Sequence, residues 1–342
     1  MRIIVDIMSG DKAPLEILLG AHDAASENTG VSFTFVGNEA IIRAVAAAKG
    51  LNIDMPNVEI VHTEGIVTME DQPLTVVREK KDSSMGVGLK MLAEGKGDAF
   101  VSAGNTGALH AGSTLIVRRI KGIQKSGIAT ILPFANPTLL MDSGANIEIS
   151  PETYVQFAQM GSVYMSQILG IKNPRVGLLN IGAERIKGTK TVAEAYTLLE
   201  NAEGINFIGN VEGKELPFGV CDVLVCDGFN GNIVLKLSEG LGKFFVGKLT
   251  DVFKANPLTK ASYLGVKSGL KRMKKDFDAS EYGGAPLLGL SKPVIKAHGS
   301  SDACAIKNAV RQAINCVENN VTHKIAKLVV PDVISKENKS QE

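Results

Sequence analysis

Residues 102–109 (SAGNTGAL) constrain the fold more than any other stretch of this chain. They follow an apolar run at 99–101, which predicts a buried strand, and they lead into apolar residues at helical spacing. A turn between a strand and a helix that begins near Asn105 or Thr106 presents free backbone N–H groups and the positive end of the helix dipole. The stretch therefore predicts a strand–turn–helix unit that binds an anion, with phosphate as the favoured ligand. The alternative is a helix cap without a ligand.

The same pattern recurs along the chain, because short apolar runs that predict strands alternate with amphipathic stretches that predict helices. The runs lie at 2–7, 32–36, 58–61, 176–179 and 223–225. This alternation predicts an α/β fold with three layers, α/β/α, in which helices cover both faces of a mostly parallel sheet. Two further runs, at 128–132 and 138–141, predict a hairpin. No G-x-G-x-x-G motif follows a strand, which disfavours a nicotinamide-binding site.

Polar turns that contain glycine follow several of the predicted strands. They lie at 142–146, 180–188, 209–212 and 227–232. Because the carboxyl ends of parallel strands meet at one edge of a sheet, we expect these turns and the one at 102–109 to converge on one crevice. The repetition indicates a small-molecule site. Asp6 and Asp11 flank another glycine turn; the alternative role for Asp11 is to cap the following helix.

Composition limits the class of protein. The chain has 342 residues, a formal net charge of +1, no tryptophan and only 5% aromatic residues, so neither its overall charge nor its aromatic content supports nucleic acid as the main partner. Its four cysteines form no CxxC pair, and its start lacks the features of a signal peptide. No apolar run approaches the roughly 20 residues of a spanning helix. We expect a soluble intracellular protein with one large α/β unit over 1–330, in one or two lobes, and a loose polar tail at 331–342.

Basic residues precede one predicted helix. Ser83 or Ser84 is predicted to cap this helix, and Arg78, Lys80 and Lys81 come just before it. Positive charge at a helix N-terminus opposes the helix dipole, and an anion bound there would remove the conflict. The alternative is a solvated charged turn.

A second basic segment, at 254–275, contains seven lysine and arginine residues, no acidic residue, and apolar residues at helical spacing. A basic amphipathic helix of this kind indicates contact with a membrane surface or an acidic partner. The alternative is an ordinary surface helix. The candidate contact residues are Leu258, Leu264, Val266, Leu270, Lys271, Arg272 and Lys274.

Seven turn motifs together resemble one known family. In chain order they are DIMSGD at 6–11, KKDSS at 80–84, SAGNTG at 102–107, DSGAN at 142–146, DGFNGN at 227–232, YGGAP at 282–286 and HGSS at 298–301. This set resembles the bacterial phosphate acyltransferases of phospholipid synthesis, the PlsX family, over residues 2–321. Two positions depart from the family pattern: Ser9 stands where a glycine is usual, and Ala183 stands where Gly-Glu-Glu is common, so Glu184 is the one acid of its turn.

The resemblance implies a reaction between a long-chain acyl-carrier-protein thioester and inorganic phosphate that gives acyl phosphate and free carrier protein. It also implies a homodimer with a fold like phosphotransacetylase and the isocitrate and isopropylmalate dehydrogenases, without a nicotinamide or metal cofactor. The basic helix would then be a peripheral membrane contact of a cytoplasmic enzyme. It would deliver acyl phosphate to a membrane glycerol-phosphate acyltransferase, or it would dock the acidic carrier protein.

A mechanism consistent with these residues assigns the following roles. The predicted phosphate-binding residues are Lys81, Ser83, Ser84, Ser102, Gly104, Asn105 and Thr106. Lys187 would offset charge on the carbonyl oxygen, and Asn180 would orient the thioester or the phosphate. Glu184 or Asp227 would manage a proton. The remaining predicted substrate contacts are Asp11, Asn146, Asn210, Asn232 and His298, and the alternative for His298 is a structural hydrogen bond.

Two other functions compete with this interpretation. One is an NAD-dependent decarboxylating dehydrogenase of the same fold, which would need clustered aspartate ligands for a metal ion; the sequence shows no convincing cluster. The other is a non-catalytic scaffold at a lipid surface, which would use the basic helix and leave the polar turns unexplained.

Overall fold

A single eleven-stranded sheet forms the centre of the molecule. The computed structural model describes residues 1–276 and 283–329, except for the side chains at 257, 258, 261, 264 and 271–276. The strands are β1 (Arg2–Asp6), β2 (Ser32–Gly37), β3 (Val58–His62), β4 (Ala99–Ser102), β5 (Gly127–Pro133), β6 (Pro137–Met141), β7 (Arg175–Asn180), β8 (Asn206–Glu212), β9 (Val223–Val225), β10 (Ala285–Leu288) and β11 (Val294–Lys296).

Helices connect most of these strands. They are α1 (Leu15–Glu27), α2 (Glu39–Lys49), α3 (Ser84–Ala93), α4 (Thr106–Gly112), α5 (Pro151–Leu169), α6 (Lys190–Glu200), α7 (Gly228–Lys254), α8 (Pro257–Asp276), α9 (Ala303–Glu318) and α10 (Val321–Val329). No helix within the described ranges combines the length and apolar character needed to cross a bilayer.

The strand order is β3-β2-β1-β4-β11-β10-β5-β6-β9-β7-β8. Neighbours are parallel from β3 to β11 and again from β6 to β8, so the predicted mostly parallel sheet is confirmed. The predicted hairpin is confirmed as β5 and β6, with Thr130 opposite Leu140.

The expectation that all the polar turns meet at one edge is wrong. Three antiparallel steps, β11 to β10, β10 to β5 and β5 to β6, separate the two parallel halves. Because an odd number of reversals inverts strand direction, the carboxyl ends of β1, β4 and β11 lie at one edge, which we call the first edge. The carboxyl ends of β6, β9, β7 and β8 lie at the opposite edge, which we call the second edge.

Side chains alternate between the two faces of the sheet, as the strand period requires. Ile3 and Val5 pack into the larger core, with residues of α1, α5 and α9, whereas Ile4 packs into the core beneath α3. Leu140 belongs to a third cluster, against the first turns of α7. Helices therefore cover both faces, and the predicted three-layer arrangement is confirmed.

Two helical regions differ from the expectation. The basic segment is helical as predicted and forms α8. The helix before it, α7, has 27 residues, a length that the sequence pattern did not indicate. The spacing of Ala305, Ala309 and Ala313 predicts a final helix that continues to about Val321. The helix ends at Glu318 instead, and α10 begins at Val321 after Asn320 adopts a φ of 51°. Asparagine is among the residues that tolerate this left-handed conformation.

Candidate functional site

At the first edge, the turns after β1, β4 and β11 touch one another. Gly10 has a φ of 121°, and a Cβ added to it would lie 3.0 Å from the Cβ of Ala103 and 3.3 Å from the carbonyl oxygen of Gly299. The N–H of Asp11 donates to the same Gly299 oxygen at 2.8 Å. A side chain at position 10 would push these turns apart, so the glycine is needed for their close contact. The helix cap expected as the alternative for Asp11 is wrong, because Pro14 occupies the N-cap position of α1.

A buried carboxylate supports these turns from below. Asp6 is fully buried, and it accepts a hydrogen bond from the Ser102 hydroxyl at 2.7 Å and from the N–H of Met8 at 3.3 Å. The Ser9 and Ser84 hydroxyls lie beside the carboxylate, outside hydrogen-bond geometry. Burial raises the pKa of Asp6, and the neighbouring hydroxyls oppose that rise because they stabilise its charged form. Asp6 thereby ties the end of β1 to the end of β4.

Lys296 is a further buried ionisable residue of this edge. It ends β11, and its ammonium group donates to the carbonyl oxygens of Ala103 and Ala297. Burial lowers its pKa to about 8, and the charges of Asp11 and Asp6 oppose that change. The sequence predicts a strand at 294–296, and sequence reasoning missed Lys296 because it treated the residue as part of that strand. A lysine that closes an apolar strand beside a glycine turn was the available signal.

The turn after β4 has the predicted geometry at the start of α4. Asn105 is the N-cap, and its side-chain oxygen accepts from the N–H of Ala108 at 3.0 Å. Its amide donates to the carbonyl oxygens of Met69 and Asp71 at 3.0 and 2.9 Å, so this side chain is engaged within the protein. The N–H groups of Thr106 and Gly107 have no acceptor among the described residues. The turn therefore offers an anion its backbone N–H groups and the exposed Thr106 rather than the Asn105 amide.

The serines predicted to hold phosphate lie below the surface. Ser83 caps α3 by accepting from the N–H of Gly86 at 3.1 Å, and Ser84 is fully buried. Ser102 is also buried, and besides its bond to Asp6 it accepts from the N–H of Gly104 at 3.1 Å. Lys81 is exposed beside them. The hydroxyls thus support the turns, and Lys81 is the side chain of this group that reaches solvent.

His298 follows β11 and accepts a hydrogen bond from the N–H of Ser300 at 3.2 Å, which is the structural hydrogen bond expected as its alternative. Partial burial lowers the pKa of His298, and the charges that act on it include Lys236 and Glu239 of α7. Although α7 starts at the second edge, its third turn therefore lies near the first edge.

At the second edge, Asp142 organises the turn after β6. Its fully buried carboxylate accepts five hydrogen bonds of 2.7–3.1 Å. The donors are the backbone N–H groups of Ile128, Gly144, Ala145 and Asn146 and the side-chain amide of Asn146. The Asn146 amide also donates to the carbonyl oxygen of Ser126 at 2.8 Å.

Asp227 has a comparable role at the start of α7. It caps the helix by accepting from the N–H of Asn230 at 2.9 Å, and the Tyr154 hydroxyl donates to it at 3.4 Å. Asn232 lies against Gly144, where an added Cβ would be 3.5 Å from the asparagine. The turns after β6 and β9 are therefore in contact.

Lys187 and Glu184 lie in an exposed loop after β7. The Asn180 amide donates to the carbonyl oxygen of Lys187 at 3.0 Å, and the Asn210 amide donates to that of Glu184 at 2.9 Å. The two charged groups form an exposed ion pair of 3.9 Å. Both asparagines thus hold the loop in place, while Lys187 and Glu184 face solvent.

The structure divides the predicted site residues between the two edges. The first edge brings together Asp11, Lys81, Ser83, Ser84, Ser102, Gly104, Asn105, Thr106 and His298. The second edge brings together Asn146, Asn180, Glu184, Lys187, Asn210, Asp227 and Asn232. Two helices bridge the edges, α7 through Lys236 and α4 through His110, whose Nε2 lies 3.2 Å from the Ser126 hydroxyl.

The family model described as a fatty acid synthesis protein matches residues 1–324. A phosphate acyltransferase of Thermoanaerobacterium thermosaccharolyticum is 48% identical over 327 residues, which cover 95% of this chain and 96% of the relative. The chain belongs to the phosphate acyltransferase family. Another family member, from Clostridium tetani, is 42% identical and covers 96% of this chain and 98% of the relative. The chain is therefore an acyltransferase, and the dehydrogenase alternative is not favoured.

Solved structures show that the family shares its fold with phosphotransacetylases. The phosphotransacetylase of Streptococcus pyogenes superposes with a TM-score of 0.62 at 16% identity and covers 94% of each chain. The EutD phosphotransacetylase of Staphylococcus aureus gives a TM-score of 0.60 at 18% identity and covers 93% of this chain and 94% of that one. These likenesses confirm the predicted fold class.

Proposed function

We propose that this enzyme transfers the acyl group of a long-chain acyl-carrier-protein thioester to inorganic phosphate, for phospholipid synthesis. The observation that carries the proposal is the 48% identity with a phosphate acyltransferase over nearly the whole of both chains. The first-edge turn with its unpaired N–H groups supports it, because backbone N–H groups at a helix start are suited to an anion. In the reaction, a phosphate oxygen bonds to the thioester carbon, the C–S bond breaks, and the carrier thiolate leaves.

In this proposal the first edge binds phosphate. The N–H groups of Thr106 and Gly107 and the ammonium group of Lys81 contact the anion, while Ser83, Ser84 and Ser102 hold the two turns from below. Phosphate is anionic at neutral pH, so the protein needs chiefly to position it and to balance its charge. Lys296 adds a buried positive charge beneath the turns. Asp11 and His298 border the same place.

The second edge, in this proposal, receives the thioester. Lys187 offsets charge on its carbonyl oxygen, and Asn180 and Asn210 act by holding the loop that carries Lys187. Glu184 or Asp227 passes the proton that the attacking phosphate loses to the departing thiolate, which leaves as the free thiol. The bridging helices α4 and α7, with Asn146 and Asn232 beside the start of α7, border the path between the edges.

The test is incubation of the purified enzyme with palmitoyl-carrier protein and phosphate, following free thiol and hydroxylamine-trapped acyl phosphate. Phosphate-dependent thiol release is expected. Lys81→Gln should raise the KM for phosphate at least tenfold, since a charge-assisted contact contributes about 1.5–3 kcal/mol. Lys187→Gln should lower kcat by a similar factor. Lys90→Gln, an exposed lysine at the other end of α3, is the matched control.

Full acyl-phosphate production by both lysine variants would refute the residue assignments. Thiol release that does not depend on phosphate would refute the reaction itself. If the folded protein releases thiol no faster than a control without protein, the alternative of a non-catalytic scaffold at a lipid surface is favoured instead.

We further infer that α7 forms a homodimer interface. The helix exposes apolar side chains at every fourth position, in a row that winds gradually around the helix axis: Phe229, Ile233, Leu237, Leu241, Phe245 and Leu249. Leu237 is 60% and Phe245 is 58% exposed in the single chain, and a continuous apolar stripe of this kind is typical of an interaction surface. A second copy of the same helix would cover it.

The dimer proposal predicts that Leu241→Glu combined with Phe245→Glu converts the protein to monomers, because two carboxylates would be buried in an apolar contact. Sedimentation velocity measures the change. Leu115→Glu, another exposed apolar position at 55%, should leave the dimer intact. A wild-type chain that sediments as a monomer would contradict the proposal.

We also propose that α8 attaches the cytoplasmic enzyme peripherally to the membrane, where a glycerol-phosphate acyltransferase would take up the acyl phosphate. Tyr263 and Val266 are 37% and 43% exposed, and Leu270 is half-buried. The side chains of Leu258, Leu264, Lys271, Arg272 and Lys274 lie outside the described part. Docking of the acidic carrier protein on the same lysines is the competing use.

Val266→Glu should weaken flotation with anionic vesicles several-fold and leave thiol release in solution unchanged. Leu115→Glu is again the control. Equal flotation of Val266→Glu and wild type would contradict the membrane role of α8.

A further inference from the structure

A groove that the proposed reaction does not use opens where β4 and β11 begin. It has a volume of about 490 Å³ and lies between the strand starts, the last turn of α9 and the first turn of α10. Pro293, which lines it, precedes β11, whereas Lys296 ends that strand at the first edge. The groove is therefore separate from the candidate phosphate turns.

Four basic side chains converge on this groove: Arg119, Lys121, Lys292 and His323. None of them forms an ion pair with any residue in the ranges 1–276 and 283–329. The one acid of the lining is Asp98, whose carboxylate accepts from the backbone N–H of Arg2 at 2.7 Å. Like charges gathered at one place repel one another, and an anion between them would relieve that repulsion.

Hydrogen bonds hold the backbone of the arginine side of the groove in place. The N–H of Ile120 donates to the carbonyl oxygen of Gly289, and the N–H of Ser291 donates to that of Arg118, both at 2.9 Å. The Ser291 hydroxyl donates to the carbonyl oxygen of Val117 at 2.7 Å. The backbone that carries Arg119 and Lys292 is thus fixed before any ligand arrives, which reduces the ordering cost of binding.

The rest of the lining combines apolar and polar side chains. Ile120, Val317 and Ala326 contribute aliphatic surface, and Thr322 supplies a hydroxyl in the first turn of α10. A cationic rim over an apolar wall suits a ligand that combines an anionic group with an apolar body. The volume lies in the range of roughly 300–1,000 Å³ typical of small-molecule sites.

We propose that this groove binds a phosphomonoester that carries an apolar body, as a second anion site distinct from the catalytic one. The phosphate group contacts Arg119 and Lys292, and the apolar body lies against Ile120 and Val317. Lys121 adds positive charge at the rim.

The test is isothermal titration of the full chain with decyl phosphate, which has an aliphatic body, and with phenyl phosphate, which has an aromatic one. At least one is expected to bind with a Kd below about 1 mM. Arg119→Gln combined with Lys292→Gln should raise that Kd at least tenfold. Lys81→Gln, which lies in the candidate catalytic site, should leave the groove binding unchanged.

Lys49→Gln combined with Lys172→Gln removes the same charge from exposed positions elsewhere and should also leave the Kd unchanged. The groove residues lie at the surface, so circular dichroism and the thermal midpoint of the double variant should match the wild type. The proposal is overturned if neither compound binds. It is equally overturned if the groove variant binds as the wild type does, or if Lys81→Gln abolishes the binding.

Discussion

Replacing Lys296 with methionine is expected to lower the rate of acyl-phosphate formation about a hundredfold. The ammonium group donates to the carbonyl oxygens of Ala103 and Ala297, and methionine would leave both without that donor. The loss of the hydrogen-bond donor from two buried carbonyl groups destabilises the arrangement of the turns by about 3 kcal/mol. If the enzyme must restore that arrangement in order to react, this free energy adds to the barrier and lowers the rate roughly a hundredfold. The variant would also remove the positive charge beneath the phosphate turn. The measurement is the thiol-release assay across phosphate concentrations.

A pH signature distinguishes the ionisation of Lys296 from a packing defect. Burial lowers its pKa from 10.5 to about 8, so between these values the unfolded chain binds a proton that the folded chain does not. The contribution of this lysine to the free energy of unfolding therefore increases as the pH rises from 8 to 10.5. The same amount of stability is lost as the pH falls from 10.5 to 8. The wild type should gain about 3 kcal/mol relative to Lys296→Met across that window.

Urea unfolding at a series of pH values measures this difference. Comparison with Lys296→Met removes the contributions of the other ionisable groups, because both proteins contain them. Lys327→Met, at an exposed position of α10, should have wild-type activity. Its free energy of unfolding should differ from that of the wild type by a constant amount between pH 8 and 10.5. A constant difference between wild type and Lys296→Met from pH 8 to 10.5 would contradict the assignment of a lowered pKa.

Replacing Asp142 with alanine is expected to lower the free energy of unfolding by about 4–5 kcal/mol. The carboxylate accepts five hydrogen bonds at a fully buried position, and alanine would leave the donors of the turn unpaired. The turn includes Gly144, which lies against Asn232. We therefore expect loss of activity together with loss of stability, measured by urea unfolding and by thiol release.

Replacing Asp142 with asparagine instead is expected to destabilise the protein less than replacing it with alanine. Its carbonyl oxygen can replace Oδ1, which accepts from the N–H groups of Ile128, Gly144 and Ala145. Its side-chain NH2 group would replace Oδ2 and face the two N–H donors of Asn146, so the two hydrogen bonds that Oδ2 accepts would be lost. We expect a cost of about 2 kcal/mol, less than that of alanine. Asp54→Ala, an exposed carboxylate, should unfold close to the wild type. An asparagine variant less stable than the alanine variant would contradict the hydrogen-bond account.

Local patterns were sufficient for most elements and for some of their ends. The apolar run at 99–101 with the turn after it predicted β4 and a helix that begins near Asn105 or Thr106, and Ser83 or Ser84 was predicted to cap α3; the structure has Asn105 and Ser83 as the caps. These features depend on contacts within a few residues, so the sequence carries them directly. The ordered set of turn motifs also identified the family, which the 48% identity confirmed.

The sequence alone determined most of the elements, the mostly parallel sheet, the hairpin and the family of this protein. Only the tertiary structure decided that the polar turns divide between two edges, because strand direction depends on pairings between distant residues such as Leu287 and Ile128. It also decided that Ser84 and Ser102 are buried and that Lys296 lies beneath the turns near Asp6. Burial depends on which elements pack together, and neighbours in space that are far apart in the chain leave no periodic trace in the sequence.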